Sequence, residues 1–288
     1  MKLATFVHEG VHRLGAIAGD EVVDLSAHDR AVPADMGRFL ALGAAGLDAA
    51  RRAIAGNAPR HPRDTIVLSA PVPSPAKVFG IGLNYTSFVS ELRALAGAVP
   101  PQRIWFGRQQ ACIVGPNADV WMPLGSSQLD YEGELAIIIG ASCRGVTAGE
   151  AHAFIAGYTV CNDLTVRDWA AVSPLLGKSF ATHAPMGPWL VTADEIDDPQ
   201  NLTITTSVNG TTRQSASTAE MLSNCYELVA ELSAVTTLEP GDVILSGTPG
   251  GCGSLHRPAV FLRPGDRVCV SIDGIGEIAN RIVSEPLQ

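Results

Sequence analysis

The stretch DYEGELAIIIG (130–140), continued by AGYTVCND (156–163), decides how this chain is read. It opens with Glu132 and Glu134 on either side of Gly133 and runs directly into Leu135-Ala-Ile-Ile-Ile139. A β-branched apolar run of that length reads as a buried strand. Side chains alternate faces along a strand, so Glu132 and Glu134 should project together from the strand's mouth. The second run is again apolar and ends in Asp163, a third carboxylate able to converge from a neighbouring strand. Acids usually face water, and a Glu-x-Glu pair taken alone reads as a solvated strand face. Two like charges set against core strand sequence repel, however, unless a cation lies between them. Oxygen-only ligands point to a hard divalent ion, Mg²⁺ or Mn²⁺ with Ca²⁺ as a further candidate. No cysteine or histidine spacing suggests zinc.

The rest of the chain frames that stretch. With 288 residues, 46% hydrophobic and 17% charged, it can build one large core or a large one with a small companion. A net charge of −9 without a basic cluster argues against nucleic-acid binding. No apolar run approaches membrane-spanning length, and a cytoplasmic location is expected. Six cysteines without a CxxC pair read as reduced core residues, with Cys252 in a glycine-rich loop the one to watch.

Residues 1–70 read as a small N-terminal domain: a β-meander over the first 25 residues, then one or two helices between Ala34 and Asn57. The prolines at 59, 62, 71, 73 and 75 mark a boundary, leaving 71–288 as the catalytic domain. Lys77–Leu83 reads as a strand. A helix from about Thr86 to Ala96 follows, with Phe88, Leu92 and Leu95 on one face and breaks at Gly97 and Pro100-Pro101, a candidate lid. From Val120 onward strands and turns dominate, apart from a helix over Glu220–Leu232 burying Leu222, Tyr226 and Val229. Without βα alternation the fold class is α+β, rich in β. Gly80-Ile-Gly82 lacks the context of a dinucleotide fingerprint. The loop Ser246-Gly-Thr-Pro-Gly-Gly251 stands at a strand end, where glycines such as Gly247 let backbone N–H groups approach an anion and Thr248 adds a hydroxyl.

The blocks GLNY (82–85), DYEGELA (130–136), GYTVCNDLTVRD (157–168), GKSF (177–180), PMGPWLV (185–191), VNG (208–210), LEPGDVILSGTPGG (238–251) and FLRPGD (261–266), in that order, resemble the fumarylacetoacetate hydrolase superfamily. The resemblance implies a mixed β-roll, a homodimer, and Mg²⁺ or Mn²⁺ held by Glu132, Glu134 and Asp163. It also implies a small 2-oxo or diketo acid of the acylpyruvate type as partner. The motif lysine falls on Lys178, the loop residues on Gly247 and Thr248, the Arg-Asp pair on Arg167 and Asp168, and the Asn-Tyr pair on Asn84 and Tyr85. Lys178 would add positive charge to an enolate formed on the polarised carbonyl. Arg167 reads equally as a substrate contact or as a salt bridge to a nearby acid.

The chain departs from the pattern on the lid. Hydrolytic members carry His and Glu three apart there to activate water; here Glu91 is kept and the histidine position is Phe88. A phenyl ring cannot accept a proton, and general-base help is worth about 10²–10⁴-fold. His183 and His256 stand beside active-site motifs, either as a relocated base or as ordinary loop histidines. Three readings follow. The first is a metal-dependent hydrolase cleaving a C–C bond, with Glu91 alone handling water. The second is a decarboxylase or tautomerase using metal and lysine without activated water. The third is a silent member that binds a carboxylate.

Overall fold

The computed structural model describes residues 1–286 apart from Pro101. The apolar run forms the strand Gly133–Ile139, every residue of it buried. It pairs antiparallel with Ile155–Asn162 on one side and with Val243–Leu245 on the other. Covered on both faces, it has no reason to alternate polar with apolar residues. The two faces instead feed two cores. Leu135, Ile137 and Ile139 pack with Leu228, Val229, Ile204 and Val270. Ala136 and Ile138 pack with Leu3, Leu14, Val23 and Phe39. Each large aliphatic side chain buried this way contributes about 1.5–3 kcal/mol, which offsets the cost of the buried charges at the strand's mouth.

The strand lies inside a 12-stranded sheet. On one side Val243–Leu245 runs parallel to Val78–Gly82, which pairs antiparallel with Ile104–Gly107. On the other side Ile155–Asn162 pairs with Ala184–Thr192, followed by Lys2–His8, Val11–Ala18, Glu21–Asp24 and Arg60–Pro62. A second sheet of five strands runs in the order Thr211–Ser217, Thr203–Val208, Arg267–Ile272, Gly276–Ser284, Val120–Met122, its first hairpin turning at Asn209-Gly210. The architecture is the β-rich α+β class expected.

The first 25 residues form the expected meander, and the expected helices are Met36–Leu40 and Ala44–Ala55. The proline-rich connection is present, but no break in the core accompanies it. Lys2–His8 hydrogen-bonds to Ala184–Thr192, and Leu3, Leu14 and Val23 share one cluster with Ile138, Met186 and Leu245. The lid helix spans Thr86–Ala96 with Gly97 at its C-cap, as its sequence pattern requires. The later helix begins at Cys225, not Glu220, and runs to Val235. A capping box sets that start, with Asn224 accepting from the N–H groups of Tyr226 and Glu227 while Glu227 reaches back to Asn224. Its buried face is therefore Cys225, Leu228, Val229 and Leu232, while Leu222 lies outside the helix and is exposed.

Among the described residues no helix is long and apolar enough to cross a membrane. All six cysteines are free, and five are buried. Burial, with Glu132 and Asp130 facing it, pushes the Cys252 thiol well above its ordinary value. It is a core residue rather than a nucleophile.

Candidate active site

Strand register brings the three acids together. Gly133 pairs with Asn162, so the residues just beyond, Glu132 and Asp163, stand side by side at the ends of adjacent strands. The Asp163 amide donates to the Glu132 carbonyl at 2.7 Å, and the Glu132 amide to the Asn162 side-chain oxygen at 3.0 Å. Ligand oxygens of Glu132, Glu134 and Asp163 all lie within 4.8 Å of one another, and all three residues are buried. The pair is thus no solvated strand face.

Two short helices supply two of the cations, Arg167 and Lys178. Arg167–Ala170 and Pro174–Lys178 pack against each other at Gly177, where a Cβ would stand 2.4 Å from the Ala170 amide nitrogen. Only glycine permits that approach. Lys178 Nζ consequently donates to Glu132 Oε2 at 2.6 Å, to Thr165 Oγ1 at 2.9 Å, and to Asp163 Oδ2. Its ammonium lies 4.8 Å from the Phe106 ring centroid. Arg167 Nε donates to Asp130 Oδ2 at 2.8 Å, and Nη2 is 2.6 Å from Glu132 Oε1. Arg167 thus bridges two buried acids, the salt-bridge reading of that residue.

Sequence reasoning missed two members. Arg108 donates through Nη1 to Asp163 Oδ1 and through Nη2 to the His183 carbonyl at 2.8 Å. Asp130 accepts from the amides of Gly253 at 2.7 Å and Ser254 at 3.0 Å besides Arg167. Asp130 opened the motif and could have been picked out by its position. Arg108 stands 55 residues before Asp163, so its contact appears only in the folded chain.

Four buried acids, Asp130, Glu132, Glu134 and Asp163, thus face three cations, Arg108, Arg167 and Lys178. The imbalance falls on Glu134. Burial raises its pKa, Lys178 opposes that and Glu132 adds to it, and the result is a carboxyl pushed up to about 8. Glu132 behaves oppositely, since Lys178 and Arg167 outweigh the effect of burial and hold it below the usual carboxylate range. Burial lowers Lys178 despite the facing glutamates. An all-oxygen cluster carrying one uncompensated acid is the environment a hard divalent cation would complete, so the residues fit such an ion.

The loop after Val243–Leu245 shapes the same floor. Gly247, at φ 91, donates its N–H to Glu134 Oε2 at 2.7 Å. That amide serves a site carboxylate, not a substrate anion. Thr248 Oγ1 donates to the Gly133 carbonyl at 3.0 Å and accepts from Gln214 Nε2 at 2.8 Å. Above the floor lies a cavity of ≈ 340 Å³ lined by Glu132, Glu134, Thr165, Arg167, Lys178, Thr248 and Ser254, with Phe88 and Leu92 of the lid helix facing it.

Several expected site residues lie elsewhere. Tyr85 is fully buried in the main core and does not line the cavity. Its neighbour Asn84 is the anchor, bonding the Ser223 and Ser246 carbonyls at 2.9 and 2.8 Å. Glu91 accepts from the Gly251 amide at 2.8 Å and latches the lid helix to the loop, outside the cavity lining. His183 donates Nε2 to the Trp121 carbonyl at 2.8 Å, and burial pushes its pKa down to about 4. Neither His183 nor His256 lines the cavity, so the relocated base finds no support in position.

A sequence model described as Fumarylacetoacetate (FAA) hydrolase C-terminal matches residues 77–283. A mitochondrial oxaloacetate tautomerase of Rattus norvegicus is 41% identical over 268 residues, covering 92% of this chain and 85% of its own length. The fumarylacetoacetate hydrolase structure from psychrophilic Exiguobacterium antarcticum superposes at TM-score 0.85 with 35% identity, covering 99% of this chain and 100% of its own. The maleylpyruvate hydrolase of Sphingobium sp. SYK-6, solved with manganese(II) and pyruvate, does so at TM-score 0.83 with 32% identity and the same coverage of 99% and 100%. On fold, site and sequence together, the chain belongs to the fumarylacetoacetate hydrolase superfamily.

Proposed function

We propose that the chain is a divalent-metal-dependent tautomerase of a small 2-oxo acid, interconverting its keto and enol forms. The observation that carries this reading is the lid side of the cavity. Phe88 and Leu92 stand there, no histidine among the described residues lines the cavity, and Glu91 is turned onto the Gly251 amide. Hydrolysis of a C–C bond needs a group that holds water and takes its proton. Tautomerisation needs only a proton moved between carbon and oxygen. The name of the relatives, oxaloacetate tautomerase, supports the same chemistry.

Glu132, Glu134 and Asp163 would hold the ion, Mg²⁺ or Mn²⁺, and when bound it supplies a Lewis acid that polarises the substrate carbonyl. Lys178 is the proton carrier. Its buried ammonium, lowered in pKa, releases a proton more readily than an exposed lysine. Nζ as a neutral amine takes the proton from the carbon beside the carbonyl, and as ammonium gives one to the enolate oxygen. Thr165 Oγ1 fixes the direction of Nζ. Arg167 stays charged, because Glu132 and Asp130 outweigh the effect of burial. It remains bound to both acids and so orients Glu132 in the cluster.

Hydrolytic cleavage is the second reading, supported by the likeness to maleylpyruvate hydrolase. The enol of oxaloacetate, followed by its ultraviolet absorbance, separates the two. We expect metal-dependent decay of the enol without release of pyruvate or CO₂. Metal-independent decay, or faster release of pyruvate from an acylpyruvate, would overturn the proposal. A homodimer in the cytoplasm completes it, checked by sedimentation velocity and by fractionation against the mitochondrial location in the relatives' names.

A further inference from the structure

The cavity is lined by two unlike sets of side chains. The polar side chains lining it belong to the floor: Lys178 and Arg167 are bound to buried acids, Thr165 to Lys178 and Thr248 to the Gly133 carbonyl, while Ser254, held through its backbone amide to Asp130, adds one small hydroxyl. The rest of its side-chain lining is largely an apolar wall that includes Ile81, Phe88, Leu92, Ile104, Phe106 and Leu255, contributed by two strands, the lid helix and the loop beyond Cys252, with the Phe106 ring reaching to 4.8 Å from the Lys178 ammonium. Among the described residues no cation other than Arg167 and Lys178 lines the cavity. The nearby Arg103 is paired with Glu231 at 3.1 Å, and neither it nor Arg93 lines the cavity. At the rim Ile104 is 42% exposed, apolar surface open to a ligand.

We infer that the cavity selects a 2-oxo monocarboxylic acid with an apolar tail, in preference to a 2-oxo dicarboxylate such as oxaloacetate. The inference takes its chemistry from the tautomerase reading and its specificity from the wall. With the 2-oxo acid head on the floor, whatever lies beyond the carbonyl meets the wall. A second carboxylate placed there loses water and gains no partner, a desolvation that costs affinity. A methylene placed there gains roughly fourfold in affinity. The available room, ≈ 340 Å³, exceeds what the carboxymethyl end of oxaloacetate fills.

Calorimetry on the protein with and without Mn²⁺ tests this, using pyruvate, 2-oxobutanoate, 2-oxopentanoate and 2-oxohexanoate. The pair 2-oxopentanoate and 2-oxoglutarate, equal in carbon chain, isolates the second carboxylate. Affinity should rise by roughly fourfold per methylene, with or without metal, because the tail meets the chain's own side chains. Binding of 2-oxoglutarate should be at least about tenfold weaker than that of 2-oxopentanoate. Leu92→Arg should reverse that order, and Ile104→Arg at the more exposed rim does the same if the first variant folds poorly. Equal or tighter binding of 2-oxoglutarate, or no dependence on tail length, would overturn the inference. If no enol of any of these acids were converted, the tautomerase reading would fall, and the affinity series would still decide the wall's preference.

Discussion

Metal affinity should depend on pH through Glu134. The carboxyl sits at about 8 because burial and Glu132 outweigh the help of Lys178. An ion entering the cluster needs the carboxylate, so below that value binding displaces one proton. Apparent affinity then rises nearly tenfold per pH unit and levels off above pH of about 8. From about pH 6 to about pH 8 the gain is about fiftyfold, or about 2 kcal/mol. Glu132, held low, adds no slope there. Titration calorimetry of Mn²⁺ in buffers of differing ionisation enthalpy measures the protons released, expected near one at the acid end and near zero at the alkaline end. Glu134→Gln should weaken binding and flatten the profile. An affinity that is level across the range, or a slope that survives Glu134→Gln, would refute the reasoning. Metal-free stability follows the same group. The folded value lies above the unfolded one, so its contribution is full below about pH 4.5 and is lost as pH rises through about 8. Added metal should recover it at the alkaline end.

Lys178→Met should lower kcat for enol conversion by about 10²–10⁴-fold, and should destabilise the metal-free protein by about 3–5 kcal/mol by leaving Glu132 and Asp163 short of a partner. Enol kinetics and chemical denaturation with and without Mn²⁺ check the two effects separately. Gly247→Ala places a Cβ 3.0 Å from Asn84 Cβ and from the Ile81 carbonyl at a positive φ, and should cost about 1–3 kcal/mol of stability while weakening metal binding through the lost Glu134 contact. Phe88→His should raise cleavage of an acylpyruvate by at least about tenfold, read as pyruvate release, if the missing lid base limits hydrolysis.

The metal cluster was legible in the sequence because period-two alternation and strand pairing fix it locally. Glu132 and Glu134 share a face, and the partner strand ends one residue short of Asp163. The lid helix was legible for a similar reason, bounded by Gly97 and the prolines beyond it. Arg108 was not picked out as a site residue because its role exists only once distant segments meet; its contact spans 55 residues. Tyr85 misled in another way. A tyrosine next to a site motif suggests a ligand contact, but here the polar partner of the pair does the anchoring and the ring fills the core. The later helix started late because Asn224 and Glu227 form a cap, a signal present in the sequence that the apolar spacing obscured.

The pairing of Lys2–His8 with Ala184–Thr192 has a consequence for synthesis. Lys2 sits opposite Val191, so the first strand made cannot take its final neighbour until the chain has grown by nearly its whole sheet. At ribosomal rates of about 5–20 residues per second that wait is roughly 10–40 s. Meanwhile the early meander can pair within itself and Val67–Leu68 can cover Phe6 and Val7, so only the Lys2-Leu3 end of that side stays open. A chain cut short of the strand Ala184–Thr192 would leave that Lys2-Leu3 end unpaired permanently, a short stretch of edge able to pair with another nascent chain.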